Sequence, residues 1–217
     1  MELRKALTAE FIGTFALIYI GAGAGALGVG GLVGVALAHG LVIVAFAYAY
    51  GHHSGTHINP AVTFGMLVAG EISLADAIRY WVVQFTGATL AAFALSHALR
   101  GSGATGLGAT TFDATSMTAT RAILIEAVLT FFLVNTIMNT AVSGKAGKLA
   151  GLAIGLTLVF CILMGGPLTG ASLNPARTFG PALVSGDLSQ FWVYLVGTLL
   201  GATAAALLYR TVLREST

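Results

Sequence analysis

Apolar residues in this chain come in long unbroken runs, without the short-period alternation of a half-buried strand. A membrane-crossing helix needs roughly 20 mostly apolar residues. Six runs answer to that, at 6–27, 32–50, 75–99, 120–142, 149–166 and 190–212, the fifth being the shortest. Between the second and third runs lies Pro60–Ala69, and between the fifth and sixth lies Pro175–Ser185. Both segments are apolar but too short to cross. They read as re-entrant half-helices, because irregular backbone at membrane depth survives only where protein buries it or where it lines a water-filled cavity. The pattern predicts an all-α membrane protein with six transmembrane helices plus two re-entrant half-helices, forming one domain over residues 1–217.

The two half-helices open on the same residues. Ser54-Gly55-Thr56-His57-Ile58-Asn59-Pro60-Ala61-Val62-Thr63-Phe64-Gly65 aligns without a gap to Thr169-Gly170-Ala171-Ser172-Leu173-Asn174-Pro175-Ala176-Arg177-Thr178-Phe179-Gly180, at a shift of 115 residues. Asn is a favoured helix N-cap, and Pro suits the first helical position. Glu10 and Glu126 keep nearly the same register, each in the first span of its half. Three spans per half is an odd number, so residues 116–217 enter the membrane inverted relative to residues 1–100. Such an inverted repeat brings the two half-helices together near the midplane from opposite faces.

Composition agrees. The chain is 57% hydrophobic and 8% charged, with a mean hydropathy of +0.90, whereas a soluble domain is about a quarter charged. A formal charge of +2 gives no ground for a nucleic-acid partner. The lone Cys161 allows neither an intrachain disulfide nor a thiolate cluster. No catalytic, metal or cofactor constellation stands out, so the chain does not read as an enzyme. The 29 glycines let helix backbones approach closely. Met1-Glu2-Leu3-Arg4-Lys5 leads into the first run without a small-residue cleavage site, which reads as a first span and not a signal peptide. Basic residues set the orientation: Arg4, Lys5, Arg79, Lys145, Lys148, Arg210 and Arg214 fall on one side, Arg100 and Arg121 on the other. The positive-inside rule then makes both termini cytoplasmic.

Two helix N-termini facing each other at the midplane form a positive centre, since each carries about half an elementary charge and unpaired N–H groups. Asn59 and Asn174 can cap their helices through the side-chain carbonyl and turn the amide toward a pore. The residues before them, Gly55, Thr56, His57 and Ile58, and Gly170, Ala171, Ser172 and Leu173, would present backbone carbonyls to the lumen opposite an apolar wall from 41–46 and 156–162. Arg177 is a permanently charged group with five donors at membrane depth, where ionisable residues are rare and functional.

The two Asn-Pro-Ala motifs (Asn59-Pro60-Ala61 and Asn174-Pro175-Ala176), Arg177 directly after the second, and Ala9-Glu10-Phe11-Ile12-Gly13-Thr14-Phe15 in the first span carry a resemblance. The chain resembles the aquaporin (major intrinsic protein) superfamily over essentially its whole length. Selectivity in such channels comes from pore diameter, lining groups and electrostatic barriers. The resemblance implies a passive channel and a four-residue constriction at His39, Ile162, Ala171 and Arg177. His39 and Ile162 stand where strict water channels carry an aromatic residue and a His. This, and the segment Ser185-Gly186-Asp187-Leu188-Ser189-Gln190-Phe191-Trp192-Val193-Tyr194, is similar to the plant tonoplast intrinsic subfamily. It implies water with small neutral solutes such as ammonia, urea, hydrogen peroxide or glycerol, and exclusion of protons and ions. Thr178 stands where many water channels have Ser and glycerol facilitators have Asp. Glu10 and Glu126 are implied to accept hydrogen bonds from the loops, and a homotetramer in a lipid bilayer is implied as the assembly.

Other readings stay open: a strict water channel, a secondary transporter built from inverted repeats, a closed junction protein. His52 and His53 read as wet loop residues, His57 and His97 as structural, and Cys161 as packed beside Ile162. The Gly/Thr-rich loop 101–118 is expected over the outer mouth, with Thr111 or Phe112 near the constriction. The short termini suggest a prokaryotic cytoplasmic membrane.

Overall fold

The computed structural model describes residues 3–104 and 106–215, and all regular structure among them is helical. In chain order the elements are α1 (Leu3–Leu27), α2 (Gly31–Ser54), α3 (Pro60–Ala69), α4 (Leu74–Ala98), α5 (Ala119–Val142), α6 (Gly147–Thr169), α7 (Pro175–Ser185) and α8 (Phe191–Leu213). Five of them, α1, α2, α5, α6 and α8, are long and apolar enough to cross a membrane by length and composition. α4 matches them in length with 25 residues.

The short helices α3 and α7 start and stop where the sequence places them. Asn59 and Asn174 cap them, Pro60 and Pro175 take the first helical position, and left-handed Gly70 and Gly186 end them. The long helices differ from expectation at their ends. α2 runs on to Ser54, so His52 and His53 belong to its last turn and not to a loop. α6 begins with a 3₁₀ turn and extends to Thr169, longer than the 149–166 run suggests. Three long helices contain a π turn: Leu17–Ala22 within α1, Met138–Val142 ending α5 and Tyr209–Leu213 ending α8.

Packing follows the duplication. α1 lies on α4 as α5 lies on α8, and the half-helices pack crosswise, α3 on α8 and α7 on α4. α2 and α6 cross at Gly40 and Gly155, positions 115 residues apart. A Cβ on either would stand 2.6 Å from the other's carbonyl oxygen, so this crossing needs both residues bare. The face that holds Arg4, His53 and Glu215, the terminal face, carries exposed ion pairs. Lys145 reaches Glu215 at 2.7 Å, and Arg214 reaches Glu71 at 3.1 Å. Loop 101–118 marks the opposite, distal face.

Candidate functional site

The backbone before each half-helix is strained in the same way twice. Thr56 and Ile58 have φ of 50° and 38°, Ala171 and Leu173 have 46° and 53°. Left-handed backbone is uncommon for any residue with a Cβ and a clear outlier for a β-branched one. It costs on the order of 1–3 kcal/mol per residue and persists only where the surroundings over-determine it.

The buried carboxyls of α1 and α5 supply that restraint. Glu10 accepts from Ser54 Oγ (2.7 Å), His57 N (2.8 Å), Ile58 N (2.6 Å) and Gln84 Nε2 (2.8 Å). Glu126 accepts from Thr169 Oγ1 (2.7 Å), Ser172 N (3.0 Å) and Leu173 N (2.9 Å). A tyrosine closes each brace: Tyr80 Oη donates to Ser54 O at 3.0 Å, and Tyr194 Oη donates to Thr169 O at 2.7 Å. Neither tyrosine has this role on the amino-acid sequence alone (Tyr194 enters only within the segment similar to the tonoplast subfamily), although their spacing of 114 residues keeps the repeat register.

The two asparagines join the halves. Asn59 Oδ1 accepts from Ala61 N at 2.8 Å, and Asn174 Oδ1 accepts from Ala176 N and Arg177 N. Each amide also donates one hydrogen across the midplane, Asn59 Nδ2 to Leu173 O (2.8 Å) and Asn174 Nδ2 to Ile58 O (2.9 Å). An amide NH2 has two hydrogens, so one remains on each. Ile58 and Leu173 each accept one bond from the opposite asparagine, which leaves a second lone pair on each carbonyl, and Leu173 also lines a narrow cavity.

A slim cavity of about 30 Å³ passes these groups. Its polar side is Thr56, His57, Asn59, Ser172, Asn174 and Arg177, with His39. Its apolar side is Leu17, Ile43, Val62, Leu133, Ile137, Ile154 and Leu158. The expected wall from 41–46 and 156–162 is thus only partly right: Ile43 and Leu158 face in, while Leu41 and Leu156 are exposed on the outer surface. Toward the terminal face the cavity shares Ile43, Thr56, Val62, Ile137 and Ile154 with a vestibule of about 430 Å³ that also touches Gly55 and Lys148.

His39 and Arg177 come together at this cavity, 3% and 5% exposed. His39 Nδ1 lies 2.8 Å from Val35 O. Donation there leaves Nε2 of the neutral ring as an acceptor, and that atom has no partner. Arg177 Nη1 donates to Gly108 O at 2.6 Å, while its buried Nε has no partner. Two residues that line one narrow space thus each keep a buried, unpaired polar atom, an acceptor on His39 and a donor on Arg177. Ile162 and Ala171 are not brought to its wall: both are buried in the apolar cluster of Leu129, Leu158 and Cys161. Gly170 also stands off, as the left-handed cap of α6 against Thr110.

Loop 101–118 does fold over this end, but through other residues than expected. Gly108 holds Arg177, and Thr110 Oγ1 lies 2.7 Å from Thr178 Oγ1. Phe112 instead exchanges backbone hydrogen bonds with the Gln190 side chain. Exposed Asp113 accepts from Thr115 Oγ1 and N and from Ser116 Oγ. Those bonds hold its carboxyl below the usual carboxylate range.

The Major intrinsic protein family model matches residues 1–209. Probable aquaporin TIP3-2 of Arabidopsis thaliana is 41% identical over 230 residues, covering 98% of this chain and 85% of the relative. Aquaporin TIP1-2 of Zea mays is 43% identical over 223 residues, covering 96% and 85%. The X-ray structure of the aquaglyceroporin from Plasmodium falciparum superposes with a TM-score of 0.89 at 25% identity, covering 98% of both chains. These plant relatives overturn the expected prokaryotic cytoplasmic membrane. Where the chain begins and ends carries no signal of compartment. The integral membrane assignment stands, and the chain belongs to the major intrinsic protein family of membrane channels, with a resemblance to its tonoplast intrinsic branch.

Proposed function

We propose that this protein is a passive channel for water and for small neutral solutes of the size of urea, ammonia and hydrogen peroxide, with glycerol at the upper limit. Protons and ions are excluded. One observation carries the reading: His39 and Arg177 line the same narrow cavity, and each keeps a buried polar atom, His39 Nε2 and Arg177 Nε, without a protein partner. A neutral solute that both accepts and donates completes the pair. The guanidinium repels a cation, and an anion would have to shed its hydration in a narrow space whose other wall is apolar. Ile162 and Ala171 pack behind the wall and support the constriction from the apolar cluster.

Residues 1–100 and 116–217 act as inverted halves, supported by braces that recur at shifts of 114–116 residues. Each half-helix directs its N-terminal partial charge at the midplane. There the second N–H of Asn59 and of Asn174 donates to passing water, which cannot donate back, and the chain of proton-transferring water is broken. The apolar wall opposite keeps the solute from being held tightly. A homotetramer is the assembly implied by the family resemblance, with the exposed apolar faces of α2 and α6 against lipid or a neighbouring copy.

The slimness of the cavity, about 30 Å³, favours a second reading, a strict water channel. Stopped-flow light scattering on proteoliposomes separates the two. Osmotic shrinkage in sucrose followed by fast reswelling in urea, with a proton leak at the lipid background, is the expected result. Fast shrinkage with urea flux at the lipid background would leave the strict water channel. A saturable flux that follows a proton gradient would point to a transporter and overturn both.

A further inference from the structure

The π turn Leu17–Ala22 of α1 touches the constriction from behind at two points. Gly21 backs the His39 ring. A Cβ at Gly21 would stand 2.6 Å from both Cδ2 and Nε2 of His39 and 2.8 Å from Cγ. Only a bare backbone lets the imidazole lie that close to α1, and Val35 O holds its other nitrogen at 2.8 Å. One residue further on, the carbonyl of Ala22 occupies the place of a Gly108 Cβ. Gly108 has φ of +64°, and its own carbonyl accepts from Arg177 Nη1. The same turn also sends Leu17 into the cavity wall. A π turn accommodates one extra residue within a helix, which rotates the remainder of that helix by about 100°. Gly21 and Ala22 lie within the π turn itself and make its contacts with His39 and Gly108.

We propose that this π turn is the seat of the selectivity constriction, with Gly21 and Gly108 as positioning residues that fix how far the His39 ring and the Arg177 guanidinium project into the lumen. The inference rests on the reading of His39 and Arg177 as the discriminating pair. Neither glycine touches the solute. Each acts through the group it backs: a methyl at Gly21 drives the imidazole into the lumen, and a methyl at Gly108 lifts the loop and the carbonyl that holds Arg177.

The test measures urea and water permeability in proteoliposomes for wild type, Gly21→Ala, His39→Ala and the double variant. Gly21→Ala is expected to lower the urea-to-water ratio about tenfold, the scale of an overpacked methyl. His39→Ala is expected to raise it, and adding Gly21→Ala to His39→Ala should change nothing further, because the two effects run through one contact. An unchanged ratio in Gly21→Ala, or the same drop in both backgrounds, overturns the inference. If Gly21→Ala fails to fold, rescue by His39→Ala supports the contact, and failure in both backgrounds overturns it. A ratio indifferent to His39→Ala would instead defeat the reading of the discriminating pair.

A second arm compares Gly108→Ala with Gly106→Ala. Gly106 has a similar φ of +70° in the same loop, but an added Cβ there meets nothing within 4 Å. Gly108→Ala should shift the ratio and raise proton leak, and Gly106→Ala should do neither. Equal behaviour of the two would show that loop backbone strain, and not the Ala22 contact, governs the result, and would overturn the role given to Gly108.

Discussion

The two ends of the channel are built on one scaffold and carry different chemistry. His39, Ile162, Ala171 and Arg177 at the distal end have repeat counterparts 115 residues away: Ile154, Ala47, Thr56 and Val62. All four counterparts line the terminal vestibule. The backbone beneath them is alike, with left-handed residues at Thr56 and Ala171, a capping Asn and a buried Glu at each end. Yet the distal end has a guanidinium and an imidazole where the terminal end has Val62 and Ile154, and a vestibule of about 430 Å³ opens on the terminal side. Duplication thus supplies the braces twice, and in the proposed function discrimination is added once, by side chains and by the loop that holds Arg177.

The most drastic way to break that asymmetry is Val62→Arg. It would place a second guanidinium at the terminal end, where no counterpart of Gly108 waits for it. A buried unpaired charge costs several kcal/mol, and water flow in proteoliposomes should fall to the lipid background. Water permeability close to wild type would show that the two ends are not distinguished by this position.

Next in size come the braces. Glu10→Ala abandons four donors and Glu126→Ala three. Each buried donor left unsatisfied costs about 1–3 kcal/mol. Both variants should lose most of their folded yield in detergent, Glu10→Ala the more severely. The reverse order would mean that hydrogen-bond number does not rank the halves. A smaller and symmetric effect belongs to the α2–α6 crossing. Gly40→Ala and Gly155→Ala should each cost about 1–3 kcal/mol by overpacking, read as similar drops in thermal midpoint. A neutral result for either would refute the tight crossing.

Much of this fold is legible because the repeat is written in rare residues. Asn-Pro-Ala fixes a cap and a first helical position, so the amino-acid sequence alone bounds Pro60–Ala69 and Pro175–Ser185. His39 and Arg177 can be named as constriction residues only through the family resemblance, whose positions are carried over by spacing from the two asparagines. The hidden features have physical reasons. α2 and α6 are apolar all round, so nothing in their sequence tells Ile43, which faces the lumen, from Leu41, which faces outward. The π turns leave no compositional trace. Gly108 looks like any other glycine of a Gly/Thr-rich loop until its carbonyl is found on Arg177.

The most direct test of one-ended discrimination is the proton and cation leak of Arg177→Val, which gives the distal end the residue of its counterpart, beside Val62→Ala as the matched change at the terminal end. Fluorescent pH and potassium-flux measurements on proteoliposomes should show the leak rising in Arg177→Val while water flow persists, with Val62→Ala at the wild-type level. A leak unchanged in Arg177→Val, or raised equally by Val62→Ala, would contradict the assignment of discrimination to the distal end.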